Sequence, residues 1–479
     1  MALQLTGLAS RCPVAGLAAV LLAIALSACG GGSSPLKQPV AAPLITAQPA
    51  STSVASGTDA TFSVSASGTG PFGYQWSRNG IVLPGATAAT YVQQNTQASD
   101  SAAVMRVEVR NSGGAVGSQA AMLSLNSPGI YQFAGPVIGT GELTSTQANS
   151  GSTDGLGQEA RFQGPAGLAL DPAGNLYVAD RSAHTLRKIT PAGLSSTIAG
   201  KPFVLGRANG RGVQASFTIP ERVAASSDGT VYLNEMALET TYPIRKVSPD
   251  GTVTTLVLPL DPYETNADGS PAAVSVNSFT VDAADNLIVS TEAHMQGKCR
   301  PPLTGLCPGV FTRTAVRRLS PAGAVSTVAT SESLQASGQR GVLLGPVAVD
   351  AAGNVYATNL YSILKVSPAG VITPIAGSLS LSGSLDGTGS EARFTWIRHM
   401  TVDPEGNLFI LDGTWGPDQK IRKITAAGVV TTVAGGQAGG TTLIGNLPGT
   451  LEYIDGIVAG KNGVLYVSCQ FGILKIILR

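Results

Sequence analysis

Residues 167–180 read GLALDPAGNLYVAD, and the alternating apolar runs on either side of Asp171-Pro172-Ala173-Gly174-Asn175 describe two strands joined by a tight turn. The stretch recurs as RVAASSDGTVYLNE (222–235), SFTVDAADNLIVST (278–291), PVAVDAAGNVYATN (346–359), HMTVDPEGNLFILD (399–412) and GIVAGKNGVLYVSC (456–469). A basic-aliphatic third strand follows each copy, from LRKIT at 186–190 to ILKII at 473–477, and a fourth such as SSTIAG or VVTTVAG follows all but the last. Tyr177, Tyr232, Ile288, Tyr356, Phe409 and Tyr466 mark the same position in each copy, spaced 53 to 57 residues apart except for 68 between Ile288 and Tyr356.

Units of four short strands with one fixed period stack around an axis as propeller blades. The last copy lacks its fourth strand, whereas Ile130-Tyr131-Gln132-Phe133-Ala134-Gly135 stands alone upstream. Pairing first with last removes an exposed edge, so strand 130–135 is expected to close the ring. Carried by DPAGNLYVADRSAHTLRKITPAG at 171–193 and its weaker copies, this part of the chain resembles NHL-repeat β-propellers. The linkers DGLGQEARF (154–162), NGRGVQASF (209–217) and DGTGSEARF (386–394) are similar to those of bacterial members. Such a resemblance implies a fold and no single chemistry.

Arg11 precedes an apolar run, Val14 to Leu26, that is too short to span a bilayer and has the form of a signal-peptide core. It ends in Leu26-Ser27-Ala28-Cys29, which resembles a bacterial lipobox and implies acylation at Cys29. Gly30 in place of Asp implies outer-membrane sorting, so the protein is expected to be tethered to the cell envelope by lipid. Residues 29–43 read as a flexible tether. From 44 to 126, TFSVSAS, YQW and MRVEVRN resemble an immunoglobulin-like β-sandwich with Trp76 in its core; Val64 and Val107 stand where that family often has its disulfide. The expected organisation is therefore all-β: signal peptide 1–28, tether 29–43, immunoglobulin-like unit 44–126 and six-bladed propeller 127–479.

Cys299 and Cys307 flank RPPLTGL in the long insertion of the third copy, where a disulfide is expected. Zinc is the alternative there, but only His294 is nearby. With 30 basic and 29 acidic residues, the chain offers no electrostatic case for nucleic acid. The recurrent row Lys188, Lys246, Arg318, Lys365, Lys423 and Lys475 reads as repeat structure.

Loops entering the innermost strands of a propeller converge on one mouth of its axis, which places Glu221, Arg222, Arg398, His399 and Asp455 on one rim. Arginines suit an anionic ligand, and Glu221 or Asp455 suits hydroxyls or a divalent cation; the alternative is that these groups neutralise one another. The recurrent strand ends Asp180, Glu235, Asn359 and Asp412 read as turn caps. Lactonases and lyases with related propellers use converging Glu, Asn and Asp or several histidines, but this chain has three histidines and only His399 is placed for catalysis. Two functions are compatible with these residues. One is a binding or scaffold protein recognising a protein, glycan or small ligand, without a cofactor. The other is a metal-dependent lyase or lactonase working at the same mouth.

Overall fold

The computed structural model describes residues 39–136, 150–236, 244–258, 265–270, 272–298, 306–336, 345–359, 361–414, 416, 418–436, 444–451 and 453–479. The described residues from Ala41 to Arg479 belong to one compact unit, the second of two into which the chain divides. It holds everything described below.

Its N-terminal part is built from ten strands between Leu44 and Leu125, most of them in one sheet whose centre is Gly73–Arg78 paired antiparallel with Val104–Asn111. Phe62, Val64, Trp76, Met105, Val107 and Leu123 fill a core between the sheets. Trp76 is wholly buried, donates its Nε1–H to Ala88 O at 2.9 Å, and lies 6.4 Å from the Phe62 ring and 6.1 Å from Tyr91. Packing of aromatic and aliphatic groups, with the polar edge of the indole satisfied, therefore carries this core.

The remainder forms six sheets of four or five strands. In the first, Pro165–Leu170, Leu176–Asp180, Thr185–Ile189 and Leu194–Ala199 pair in sequence order, antiparallel throughout. Four further sheets repeat that order, and their innermost strands touch one another in cyclic order back to Pro165–Leu170. The sheet that contains Gly456–Ala459, Val464–Cys469 and Gly472–Ile477 takes its fourth strand from Gly129–Ala134. This radial arrangement is a β-propeller.

Local chemistry explains why each copy turns where it does. Asp171 accepts hydrogen bonds from Asn175 N at 2.8 Å and Asn175 Nδ2 at 2.7 Å, and from Tyr177 OH at 3.2 Å. Asp350, Asn354 and Tyr356 repeat that set, and Asp403 with Asn407 and Asp282 with Asn286 repeat the Asx part. The aromatic also carries the third-strand lysine, with Lys188 Nζ 5.6 Å from the Tyr177 ring and Lys365 Nζ 6.0 Å from Tyr356. The basic row thus belongs to the repeat.

Beside each of three such lysines lies a buried arginine that ties its sheet together. Arg187, Arg245 and Arg422 are at most 1% exposed and sit 4.9, 5.5 and 5.4 Å from the rings of Phe162, Phe217 and Phe394. Each pairs with the carboxylate at the end of the second strand, Asp180, Glu235 or Asp412. Each also reaches the glycine-rich linker through Asp154, Asn209 or Asp386. The linker aspartates are therefore arginine partners. The glycines beside them have a separate role, since Gly157, Gly212 and Gly389 adopt φ of 51°, 56° and 58°, a region that favours glycine.

The first linker differs from its two copies in being buried against the N-terminal part. Gln158 Nε2 donates to Ser101 O at 2.6 Å, Asn79 Nδ2 donates to Gln158 Oε1 at 2.6 Å, and Arg106 forms an ion pair with Glu159. Ser101 Oγ further donates to Gln132 O at 2.9 Å, in the strand that completes the final sheet.

Candidate functional site

Three entries into innermost strands are fixed by a carboxylate from the neighbouring strand. Asp180 accepts from the backbone N–H groups of Gln163 and Gly164, Glu235 from Thr218, and Asp412 from Thr395 and Trp396. These carboxylates were expected as turn caps. In the folded chain they clamp the incoming loop instead, and burial raises Asp412 above the usual carboxylate range and Asp180 to about 6.

Just beyond the clamp the strand register slips, between Pro165 and Leu168, Pro220 and Val223, Val276 and Ser278, and Ile397 and His399. A bulge turns side chains out of the ladder and aims them elsewhere. Here it aims Glu221, Arg222 and Arg398 at the axis. A side chain satisfies the backbone group freed by the slip at Arg222, whose N donates to Asn234 Oδ1 at 2.8 Å, and in the strand without a slip Gly456 N donates to Ser468 Oγ at 2.8 Å.

The result is a cavity of about 480 Å³ at one end of the axis, lined by all five residues singled out in the sequence, Glu221, Arg222, Arg398, His399 and Asp455. Below it a narrower channel of about 230 Å³ is walled by small side chains, including Ala169, Ala224, Thr280, Ala348, Thr401 and Val458. Arg222, Pro346 and His399 border both spaces and so form the floor of the mouth.

The sequence reading missed three further contributors. Arg181 directly follows the strand Leu176–Asp180 and Glu292 lies within the long strand Leu287–Lys298, each one residue beyond the position aligned with Asp180, and Arg181 forms an ion pair with Asp455 across 274 residues of sequence. Trp396 lines the mouth and is 55% exposed. It stands where the aligned copies have Gly164 and Ile219, so a large aromatic at a position the repeat fills otherwise was the available signal. Asn277 lines the mouth as well, and its Nδ2 has no partner among the described residues.

Electrostatically the mouth holds Arg181, Arg222 and Arg398 against Glu221, Glu292 and Asp455, three charges of each sign. Arg398 Nη2 donates to Ile454 O at 2.6 Å. Arg222 is held more weakly, 3.4 Å from His399 Nε2 and 3.4 Å from Arg398 O. A guanidinium can only donate, so His399 Nε2 is assigned as the acceptor and its proton to Nδ1. Burial, then the two neighbouring arginines, pushes His399 well below the usual imidazole range, which keeps it neutral. Burial lowers Arg222 and Arg398 as well; Glu221 and Asp455 oppose this at Arg222, and Asp455 opposes it at Arg398. Asp455 is raised by burial, with Arg181 and Arg398 acting against the shift.

These residues do not fit a metal centre. Asp455 is committed to Arg181, His399 Nε2 faces Arg222, and among the described residues no three His, Cys, Asp or Glu side chains converge. His294 does not line the mouth; its Nδ1 lies 3.3 Å from Thr312 Oγ1 and its Nε2 3.9 Å from Glu292 Oε1. Cys29 and Cys299 lie outside the described residues, and Cys469 is a buried free thiol.

Residues 162–189 match the NHL repeat. No curated protein matches the chain. An auxiliary nutrient binding protein from Bacteroides thetaiotaomicron superposes with a TM-score of 0.50 at 14% identity, covering 92% of this chain and 98% of that one. A structural genomics protein of unknown function from the same organism gives 0.49 at 18% identity, covering 93% and 99%. A virginiamycin B lyase from Staphylococcus aureus gives 0.39 at 15% identity, covering 66% and 96%. At 14% identity the likeness to the auxiliary nutrient binding protein is one of fold alone.

Proposed function

We propose that this protein is a lipid-anchored, extracytoplasmic binding protein: a six-bladed propeller, carried on an immunoglobulin-like unit and tethered through Cys29 to the outer membrane, that holds a ligand in its axial mouth. The observation that carries this reading is Arg222. Its guanidinium forms the floor of a cavity of about 480 Å³, makes two contacts of 3.4 Å, and forms no ion pair among the described residues. A half-buried cation so weakly satisfied is stabilised by an arriving anionic or polar group. The alternative, a metal-dependent lyase or lactonase, is less well supported because Asp455 and His399 are engaged with arginines, which leaves Glu221 and Glu292 as the carboxylates of the mouth.

A thermal-shift screen of the mature protein against saccharides, organic acids and short peptides tests the mouth. Ligands that stabilise the wild type should lose their effect in Arg222→Gln with unchanged far-ultraviolet circular dichroism. Ligands indifferent to that change, or turned over in the presence of a divalent cation, refute the reading. The anchor is tested separately, because Cys29→Ala should release the protein from the membrane fraction and abolish labelling by a palmitate analogue.

A further inference from the structure

We infer that the mouth selects a carboxylated saccharide, a uronate-type pyranose bearing one negative charge; this rests on the reading above that the mouth is the binding site. Three features of the cavity converge on that chemistry. First, its floor is made of donors. Arg222 faces the mouth with only weak internal contacts, and His399 spends Nε2 on Arg222, which leaves its Nδ1–H for another acceptor. A planar carboxylate matches the fork of a guanidinium, and a neutral imidazole adds a donor without adding charge.

Second, the walls are made of acceptors and an unused amide. Glu221 and Glu292 border the same space as Asn277, whose Nδ2 has no partner among the described residues. Such groups bind hydroxyls. They also oppose a second negative charge, because Arg222 is held only by contacts of 3.4 Å and can pair with one anionic group, while the carboxylates Glu221 and Glu292 line the same space. A monoanion rich in hydroxyls fits that balance, whereas a phosphate dianion meets uncompensated repulsion.

Third, Trp396 stands at the lip with 55% of its surface exposed. Its backbone is anything but loose, since its N–H donates to Asp412 Oδ1 at 3.1 Å and Asp412 is itself buried against Arg422. An indole on an anchored backbone, open to solvent beside polar groups, is a platform for the apolar C–H face of a sugar ring. The fold does not require the aromatic there, because Gly164 and Ile219 occupy the aligned positions.

Isothermal titration calorimetry of the mature protein tests this with four probes: the singly charged galacturonate and glucuronate, the neutral maltotriose, and glucose 6-phosphate. At least one uronate should bind about tenfold or more tightly than either other probe, as one charge-assisted contact allows. Arg222→Gln should remove that preference, and Trp396→Ala should weaken the uronate while leaving its preference over maltotriose intact. Tighter binding of maltotriose or glucose 6-phosphate, or a uronate preference that survives Arg222→Gln, overturns the inference. Failure of both uronates to bind also overturns it. The binding function itself then stands if another ligand from the wider screen depends on Arg222, and falls if none does.

Discussion

Replacing Arg422 with Met removes the cation at the centre of one recurring buried unit while keeping much of its volume. The guanidinium pairs with Asp412 at 2.9 Å and Asp386 at 2.6 Å and donates to Leu385 O at 2.7 Å. Asp386 is 45% exposed and rehydrates, so its lost pair costs at most about 1 kcal/mol. Asp412 is 1% exposed and cannot; stranding such a charge costs about 3–5 kcal/mol.

The sign of the pH dependence follows from Asp412. Burial already holds it above the usual carboxylate range, against the pull of the Trp396 and Thr395 N–H groups and Arg422, so without Arg422 it rises further. An acid whose folded-state pKa exceeds its unfolded value loses stability as pH climbs from the unfolded value towards the folded one. The deficit of the variant, read as the shift in urea midpoint multiplied by the m-value, should therefore be larger at pH 8 than at pH 5. Adding Asp412→Asn should recover about half of it, because no charge is then stranded and the amide oxygen still accepts from the loop. Equal deficits below about 1 kcal/mol at both pH values, or strict additivity in the double variant, would refute the assigned role.

Three further outcomes are expected. Gly200→Ala places a Cβ 2.4 Å from His184 O at a φ of +88° and should cost about 1–3 kcal/mol or more, whereas Gly212→Ala, at φ +56° with open space around it, should cost about 1 kcal/mol; thermal midpoints compare the two. Trp76→Ala should cost about 3–5 kcal/mol in the N-terminal part, seen as protease cleavage between residues 44 and 125 at lower urea than in the wild type. Cys469, whose thiol burial pushes up to about 12, should resist iodoacetamide at pH 8 in the native protein and react once unfolded, as read by peptide mass spectrometry.

The repeat was legible because its information is local. Asp171, Asn175 and Tyr177 bond within six residues of one another, and the same short pattern recurs at Asp350 and Asp403, so a reader of the sequence meets all the partners together. The first half of the mouth was legible for a derived reason, since equal register places Glu221, Arg222, Arg398, His399 and Asp455 at equal heights. The second half was not. Arg181 meets Asp455 across 274 residues, and nothing near either one specifies the other. Trp396 announced itself only as a departure from the pattern. Asp180 and Asp412 looked like local caps because their partners, the loop N–H groups 16 or 17 residues back, carry no side-chain signature.

The sheet that joins Gly129–Ala134 to Gly472–Ile477 also sets the order in which this protein can be completed. Its outer pair unites segments some 340 residues apart, and Gln132 Nε2 reaches Ile473 O across that gap at 3.3 Å. Contacts of such long range form late, because the chain entropy lost in closing the loop precedes their reward. During synthesis the first of these strands waits until the ribosome has released the last. Chains truncated before Gly472 would present two bare strand edges, at Gly129–Ala134 and at Val464–Cys469, ready to pair with a neighbouring molecule.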